Sequence, residues 1–383
     1  MIKRSYAPLS AVLALIIVFL SAFSSAAVTD EKYTGTASYL HTLTPTVDSI
    51  GGEWLVLGLS RAEYFTEQDK QEYYETVERY VENIGSNKLH KRKSSDNSRV
   101  IIALASIGKD AANVAGYDLT APLSDFSYVT KQGINGAIWA LIALDTYRYP
   151  ISSDEGITNP TTREKLIDEI LSAQCPDGGW AFDGDISDPD MTGMALQALA
   201  PYRFYDSDIK QAVDEGVERL EYFLTAENGE LQLSPESCAQ IIVALCSLGI
   251  DPCSGDRFIV NNKTVIDRLE PYSVSNGFSH TLGGEYNQMA TEQAFYALTA
   301  YRRFCDGKTS LYDMRDICSK AFYDYDSDGL QNINDVTYLQ KYLAEYDVSL
   351  SVSRMMLADL NENRVVDISD ATLLQIYLVF FAQ

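Results

Sequence analysis

The chain is poor in positive charge. Its 383 residues carry 30 Lys and Arg against 54 Asp and Glu, a formal net charge of −24. A polyanion of this kind repels phosphate backbones and anionic lipid surfaces, so nucleic acid is excluded as a natural partner. No Cys-x-x-Cys pair occurs, which leaves a zinc cluster without support. Strand-like alternation is nearly absent, and this argues against a β-rich fold. Beyond the N-terminal segment no window reaches eighteen apolar residues, so no membrane span is expected in the mature chain. Disorder is excluded by what is present: 46% of residues are hydrophobic and only 22% charged. The length suits one large domain plus a small one.

The N-terminal segment reads as an address. Lys3 and Arg4 open it, an apolar run follows from Ala11 to Phe23, and Ser25-Ala26-Ala27 supplies small residues for cleavage. This layout predicts a secretory signal peptide over residues 1–27. A membrane anchor is the weaker alternative, because the apolar run is short. Removal takes away Lys3 and Arg4 and no acidic residue, leaving a secreted, extracellular chain of charge −26. Six cysteines (Cys175, Cys238, Cys246, Cys253, Cys305 and Cys318) are spaced unlike a small disulfide scaffold, and they read mostly as buried thiols.

From about residue 33 to 306 an apolar segment recurs. It appears around Leu55, Ala103, Ala140, Ala195, Ala244 and Ala297, at intervals of 37 to 55 residues. Such a period suggests one helix pair per unit. These segments are apolar nearly all round, as helices buried on both sides must be. Between them lie charged amphipathic stretches, Asp69 to Ile84, Thr162 to Gln174 and Asp208 to Leu224. The last carries Ile209, Val213, Val217, Leu220 and Leu224 on one stripe. Inner helices without a polar face can be satisfied only if the array closes. The expected fold is all-α, an α/α toroid of five or six helical hairpins.

Two loops carry the informative residues of this region. Gln174 precedes Gly178-Gly179-Trp180-Ala181-Phe182, and Asp188-Pro189-Asp190-Met191-Thr192-Gly193 opens the next helix. Asn276-Gly277-Phe278-Ser279-His280 and Asn287 to Gln293, which includes Glu292, repeat the plan. An Asp or Thr ahead of an apolar helix accepts its free amides, so capping is the first role expected of Asp190 or Thr192. Gln174-x-x-x-Gly178-x-Trp180 resembles the QW motif of the terpene cyclase and protein prenyltransferase superfamily. The Asp188 to Gly193 segment resembles the acid motif of squalene–hopene cyclases, in which Asp190 would fall at the alkene-protonating position. Here Met191 replaces the next Asp and Phe278 the usual second Trp. The resemblance implies a cavity near Trp180, Asp190, His280 and Glu292.

The segment from residue 319 to 383, after a linker at 307–318, carries the most specific motif. Asp324, Asp326, Asp328, the Leu330 carbonyl, Asn332 and Asp335 stand at positions 1, 3, 5, 7, 9 and 12 of an EF-hand-type loop. The pattern returns 35 residues later as Asp359, Asn361, Asn363, Val365, Asp367 and Asp370. Carboxylates two apart in a tight loop converge on one point, and a hard cation takes six to eight oxygens. Two Ca²⁺ are expected, the second held more weakly, because Arg364 stands at position 6 where a left-handed backbone favours Gly. The helices that follow, Asp335 to Leu343 and Asp370 to Leu378, also match each other. With Asp at position 12 and a short intervening helix, the segment resembles a dockerin type I module. That resemblance implies attachment to the cohesin of a scaffoldin through Ile333-Asn334 and Ile368-Ser369.

Two classes of function follow. One is a secreted component of a cellulosome-like complex, displayed at a cell surface through scaffoldin, whose toroid binds a ligand. The other is an enzyme, either a terpene-cyclase relative or a carbohydrate-active protein of polysaccharide degradation. The latter needs two facing carboxylates, for which Asp183, Asp185, Asp190, Glu285 and Glu292 are candidates.

Overall fold

A computed structural model describes residues 30–380, except 153–155, 227–231, 256, 318–322, 327, 329 and 347. The expected signal peptide and Cys318 lie outside the described residues. The fold is all-α; the one sheet among the described residues is a two-stranded hairpin, β1 (Ser273–Val274) and β2 (Gly277–Phe278).

Six apolar helices form a closed circuit. They are α2 (Trp54–Arg61), α4 (Ser94–Ser106), α6 (Ile134–Thr146), α8 (Pro189–Leu199), α10 (Pro235–Ser247) and α11 (Gln288–Cys305). Each packs on the next, and α11 packs back on α2. The sequence dictates this arrangement. In α6 every residue from Gly136 to Leu144 is buried, so no face is left for water and each flank needs a partner. Close approach is built in: a Cβ on Gly193 of α8 would stand 2.9 Å from the Gln240 backbone of α10. Trp54 and Trp139 belong to helices that are not neighbours in the circuit. Their rings meet at 5.0 Å, with Tyr296 and Tyr312 against them at 6.1 and 6.0 Å.

Outside the circuit run α1 (residues 30–40), α3 (Glu67–Ile84), α7 (Arg163–Ser172) and α9 (Ser207–Ala226). Helix α3 starts at a capping box between Thr66 and Asp69 and ends at left-handed Gly85. Its Tyr73, Val77 and Val81 face inward, and the expected stripe of α9 is buried in full. Two outer positions differ from a long helix. The four-residue α5 (Phe126–Val129) precedes α6, and a 3₁₀ turn, Asp267–Tyr272, stands before α11 with Pro271 inside it.

The segment expected as a linker is instead part of this core. Leu311 and Met314 are fully buried, and the Thr146 hydroxyl donates to the Tyr312 carbonyl at 2.5 Å. Buried Arg61 donates to the Thr309 hydroxyl and to the carbonyls of Ser310 and Asp313, while Arg303 donates to Thr309 and Asp316. Five guanidinium donors on each arginine let two side chains fix the whole segment, a pairing that local sequence does not announce. The C-terminal residues form a second core of their own, around Tyr325, Val336, Leu339, Ala358, Ala371 and Leu374. Its helices are α12 (Ile333–Leu343), α13 (Val352–Ala358) and α14 (Ile368–Phe380). Of the described cysteines, Cys175, Cys238 and Cys246 are buried thiols, but Cys305 is exposed.

Candidate metal centres and a carboxylate-lined cavity

The two informative loops of the helical ring share one construction. The Trp180 amide donates to Thr192 Oγ1 at 3.0 Å, and that hydroxyl returns to the Trp180 carbonyl at 3.3 Å. Phe278 and Thr291 repeat both bonds at 2.9 and 3.1 Å. Asp188 and Asn287 are the equivalent N-caps, accepting from the amides of Met191 and Ala290. Gln174 Nε2 ties its loop to α9 through the carbonyls of Gly178 and Ala212. Trp180, expected at a cavity, is fully buried and donates Nε1–H to the Ile170 carbonyl at 2.7 Å. Its role is to lock a hairpin. The cap is Asp188, not Asp190 or Thr192: Asp190 stands one residue past Pro189 inside the helix, and Thr192 is committed to the loop.

Freed from capping, Asp190 lines a cavity of about 560 Å³ with Met191, Met194, Ser234 and Ser237. Burial pushes its carboxyl up, opposed by a Ser237 hydrogen bond and reinforced by repulsion from Asp188 and Glu236. Asp190 Oδ1 and Glu236 Oε2 are both buried without a hydrogen-bond partner. The other Glu236 oxygen lies 2.9 Å from Nδ1 of half-exposed His280. Glu292 sits apart, accepting from the Gly51 amide at 2.8 Å and from Gln288 Nε2 at 2.6 Å. Burial raises its pKa to about 7, and Glu53 reaches about 7 for the same reason despite Arg99 at 3.4 Å. Asp183, Asp185 and Glu285 are exposed. Sequence reading missed Glu236, which hides in Ser234-Pro235-Glu236, an ordinary helix start with Ser234 as cap. It missed Glu53 as well, the residue ahead of α2.

The two acidic loops of the C-terminal unit share a set of equivalent hydrogen bonds. Asp335 accepts from the amides of Tyr325 and Asn332 at 2.7 and 2.8 Å, and Asp370 accepts from Leu360 and Asp367, both at 2.8 Å. The amides of Leu330 and Val365 donate to Asp328 and Asn363, each at 2.7–2.8 Å. Those of Asp328 and Asn363 donate to Asp326 and Asn361 at 3.2 and 3.0 Å. Carboxylate oxygens of Asp324, Asp326 and Asp328 lie within 4.8 Å of one another. The donor set is oxygen throughout, which suits a hard divalent cation and not a soft one. In the second loop Asn361 and Asn363 replace two carboxylates, and Arg364 is left-handed, with φ 72°.

Compared with family models, with curated proteins and with solved structures, the chain gives no match.

Ile333 and Ile368 stand at the first turns of α12 and α14, 60% and 62% exposed, each at position 10 of its oxygen-rich loop. No described helix is long and apolar enough to cross a membrane.

Proposed function

We propose that residues 319–383 are a dockerin type I module that binds two Ca²⁺ and attaches the chain to the cohesin of a scaffoldin. One observation carries the reading: equivalent backbone amides donate to side-chain oxygens in both loops, 35 residues apart, with an outward isoleucine at position 10 of each. In this reading Asp324, Asp326, Asp328, the Leu330 carbonyl, Asn332 and Asp335 hold the first ion, and Asp359, Asn361, Asn363, the Val365 carbonyl, Asp367 and Asp370 the second. Each ion neutralises converging carboxylates, and Ile333-Asn334 and Ile368-Ser369 meet the partner. The closed circuit of six apolar helices supports an α/α toroid of the terpene cyclase and prenyltransferase type as the displayed domain. The chain is then a secreted component of a cellulosome-like complex, and its toroid takes a ligand at the Asp190 cavity. Capture of the chain on immobilised cohesin modules, with and without a chelator, tests the assignment. Binding that is absent, or indifferent to chelator, sinks it.

A second reading is favoured by the Asp190 cavity itself. Asp190, with an unpartnered buried oxygen facing the cavity lining and a carboxyl pushed up by burial, with Glu236 reinforcing the shift, is the raw material of acid–base catalysis. On this reading the toroid is an enzyme, acting on a polysaccharide or a terpenoid, with Asp190 as acid. Loss of turnover in Asp190→Asn with the fold intact would support it; a substrate screen without turnover in the wild type would remove it.

A further inference from the structure

The second acidic loop is not free-standing; it is seated on the helical ring. The turn after α8 presents Arg203, Phe204 and Tyr205 to it across a cavity of about 550 Å³. Tyr205 donates its hydroxyl to Asp359 Oδ2 at 2.7 Å, and the Arg364 amide donates to the same oxygen at 2.7 Å. Asp359 Oδ1 accepts the Asn363 amide at 3.0 Å, and Asp359 is only 3% exposed. The Arg364 guanidinium lies 4.3 Å from the Phe204 ring centre. Around this point Arg315 pairs with Glu362, Arg148 donates to the Tyr323 hydroxyl at 3.2 Å, and Ser353 donates to Glu164.

These contacts give the anomalous arginine a reason. Position 6 takes a left-handed backbone, which a side-chain-bearing residue disfavours. Arg364 accepts that conformation, and there its guanidinium reaches Phe204 of the ring. A glycine would form the loop more easily and touch nothing.

We infer that Tyr205 is a positioning residue for the second cation loop, so that cation occupancy there and seating of the C-terminal unit on the ring are one linked equilibrium. The inference rests on the cation-binding reading of the loops. Asp359 is position 1 of its loop, and its carboxylate plane is fixed by three donors, one of them supplied by the other unit. A donor outside the coordination sphere orients a ligand and strengthens binding, and its loss typically weakens metal affinity by about 10- to 100-fold. Linkage makes the effect reciprocal: if seating strengthens the cation, the cation strengthens seating by the same factor.

Calorimetric titration of the whole chain with Ca²⁺ tests this, using Tyr205→Phe, with Asn363→Ala to identify the step that belongs to the second loop. Tyr205→Phe should weaken that step about 10-fold and leave the other unchanged. Hydrogen exchange supplies an independent reading. Ca²⁺ should slow exchange at residues 203–206 in the wild type, and less so in either variant. An unchanged second step in Tyr205→Phe, or equal weakening of both steps, would overturn the coupling. A wild type that binds no Ca²⁺ would overturn the loop reading itself, and the coupling with it.

Discussion

The indole of Trp180 donates to the carbonyl of Ile170 at 2.7 Å, a bond made entirely inside the protein between a loop and the end of an outer helix. Gly216 makes it possible, since a Cβ there would stand 2.7 Å from the indole ring. The loop between α7 and α8 is therefore a packed structural element, and the ring's sites must be sought beside it.

Replacing Trp180 with Ala should cost about 3–5 kcal/mol, the range of large aromatic truncations in cores, with the Ile170 carbonyl left unpaired as well. Thr192→Val, which removes the hydroxyl serving both the amide and the carbonyl of residue 180, should cost roughly 1–3 kcal/mol. Urea unfolding monitored by circular dichroism would measure both. A Trp180→Ala loss below that of Thr192→Val would contradict the packing role.

Asp188 and Asp190 should separate cleanly. Asp188→Ala removes the N-cap acceptor of α8 and should cost about 1 kcal/mol. Asp190→Asn removes a charge that burial disfavours and should be neutral or stabilising at pH 7. The same unfolding experiment decides; a larger penalty for Asp190→Asn would show that its charge has a partner.

Glu292 gives the ring a pH dependence of defined sign. Its carboxyl rises from 4.5 to about 7 on folding, so the folded state binds the proton more tightly than the unfolded chain. Its contribution is fully present below pH 4.5 and is lost as pH rises toward 7, by on the order of 3 kcal/mol. Glu292→Gln keeps the acceptor for Gly51 and should flatten this part of the stability–pH curve. An identical slope in wild type and variant between pH 5 and 7 would rule the assignment out.

Residues 319–383 carry ten acidic and four basic side chains, a net of −6, which two Ca²⁺ would bring to −2. Removing the cations should loosen α12 and α14 through repulsion among the loop carboxylates, with little core to resist it. Hydrogen exchange of the whole chain with and without chelator would localise the effect. Asp324→Ala should do more damage to the first loop than Asn363→Ala does to the second. Equal protection of α12 and α14 in both conditions would remove calcium from their stability.

On the proposed dockerin reading, the two isoleucines allow cohesin to dock in either of two orientations. Replacing Ile333-Asn334 with Asp-Asp should weaken cohesin capture modestly, and replacing Ile368-Ser369 as well should abolish it. Complete loss from the first change alone would mean that only one face docks.

Much of this was legible in local chemistry. All-round apolar segments such as 136–144 read as helices buried on both sides, and the stripe of α9 names its inner face residue by residue. The loop oxygens, spaced two apart and repeated after 35 residues, land on equivalent hydrogen bonds. Less legible was any role set by a distant neighbour. Nothing near Asp190 in the chain says that Asp188 takes the cap and leaves Asp190 to face Glu236, 46 residues on.

What the sequence determined by itself was periodic or contiguous: helix positions, the inner and outer faces, the donor order of the acidic loops, and the left-handed position filled by Arg364. Those properties depend on backbone stereochemistry and on side chains a few residues apart, which the chain order specifies directly. What only the tertiary structure decided was pairing across long separations. Arg61 and Arg303 turn residues 309–316 from a tether into core, Trp54 of α2 meets Trp139 of α6, and Tyr205 reaches Asp359. Each such contact depends on where closure of the helical circuit carries its two ends, and closure is a property of all six helices together.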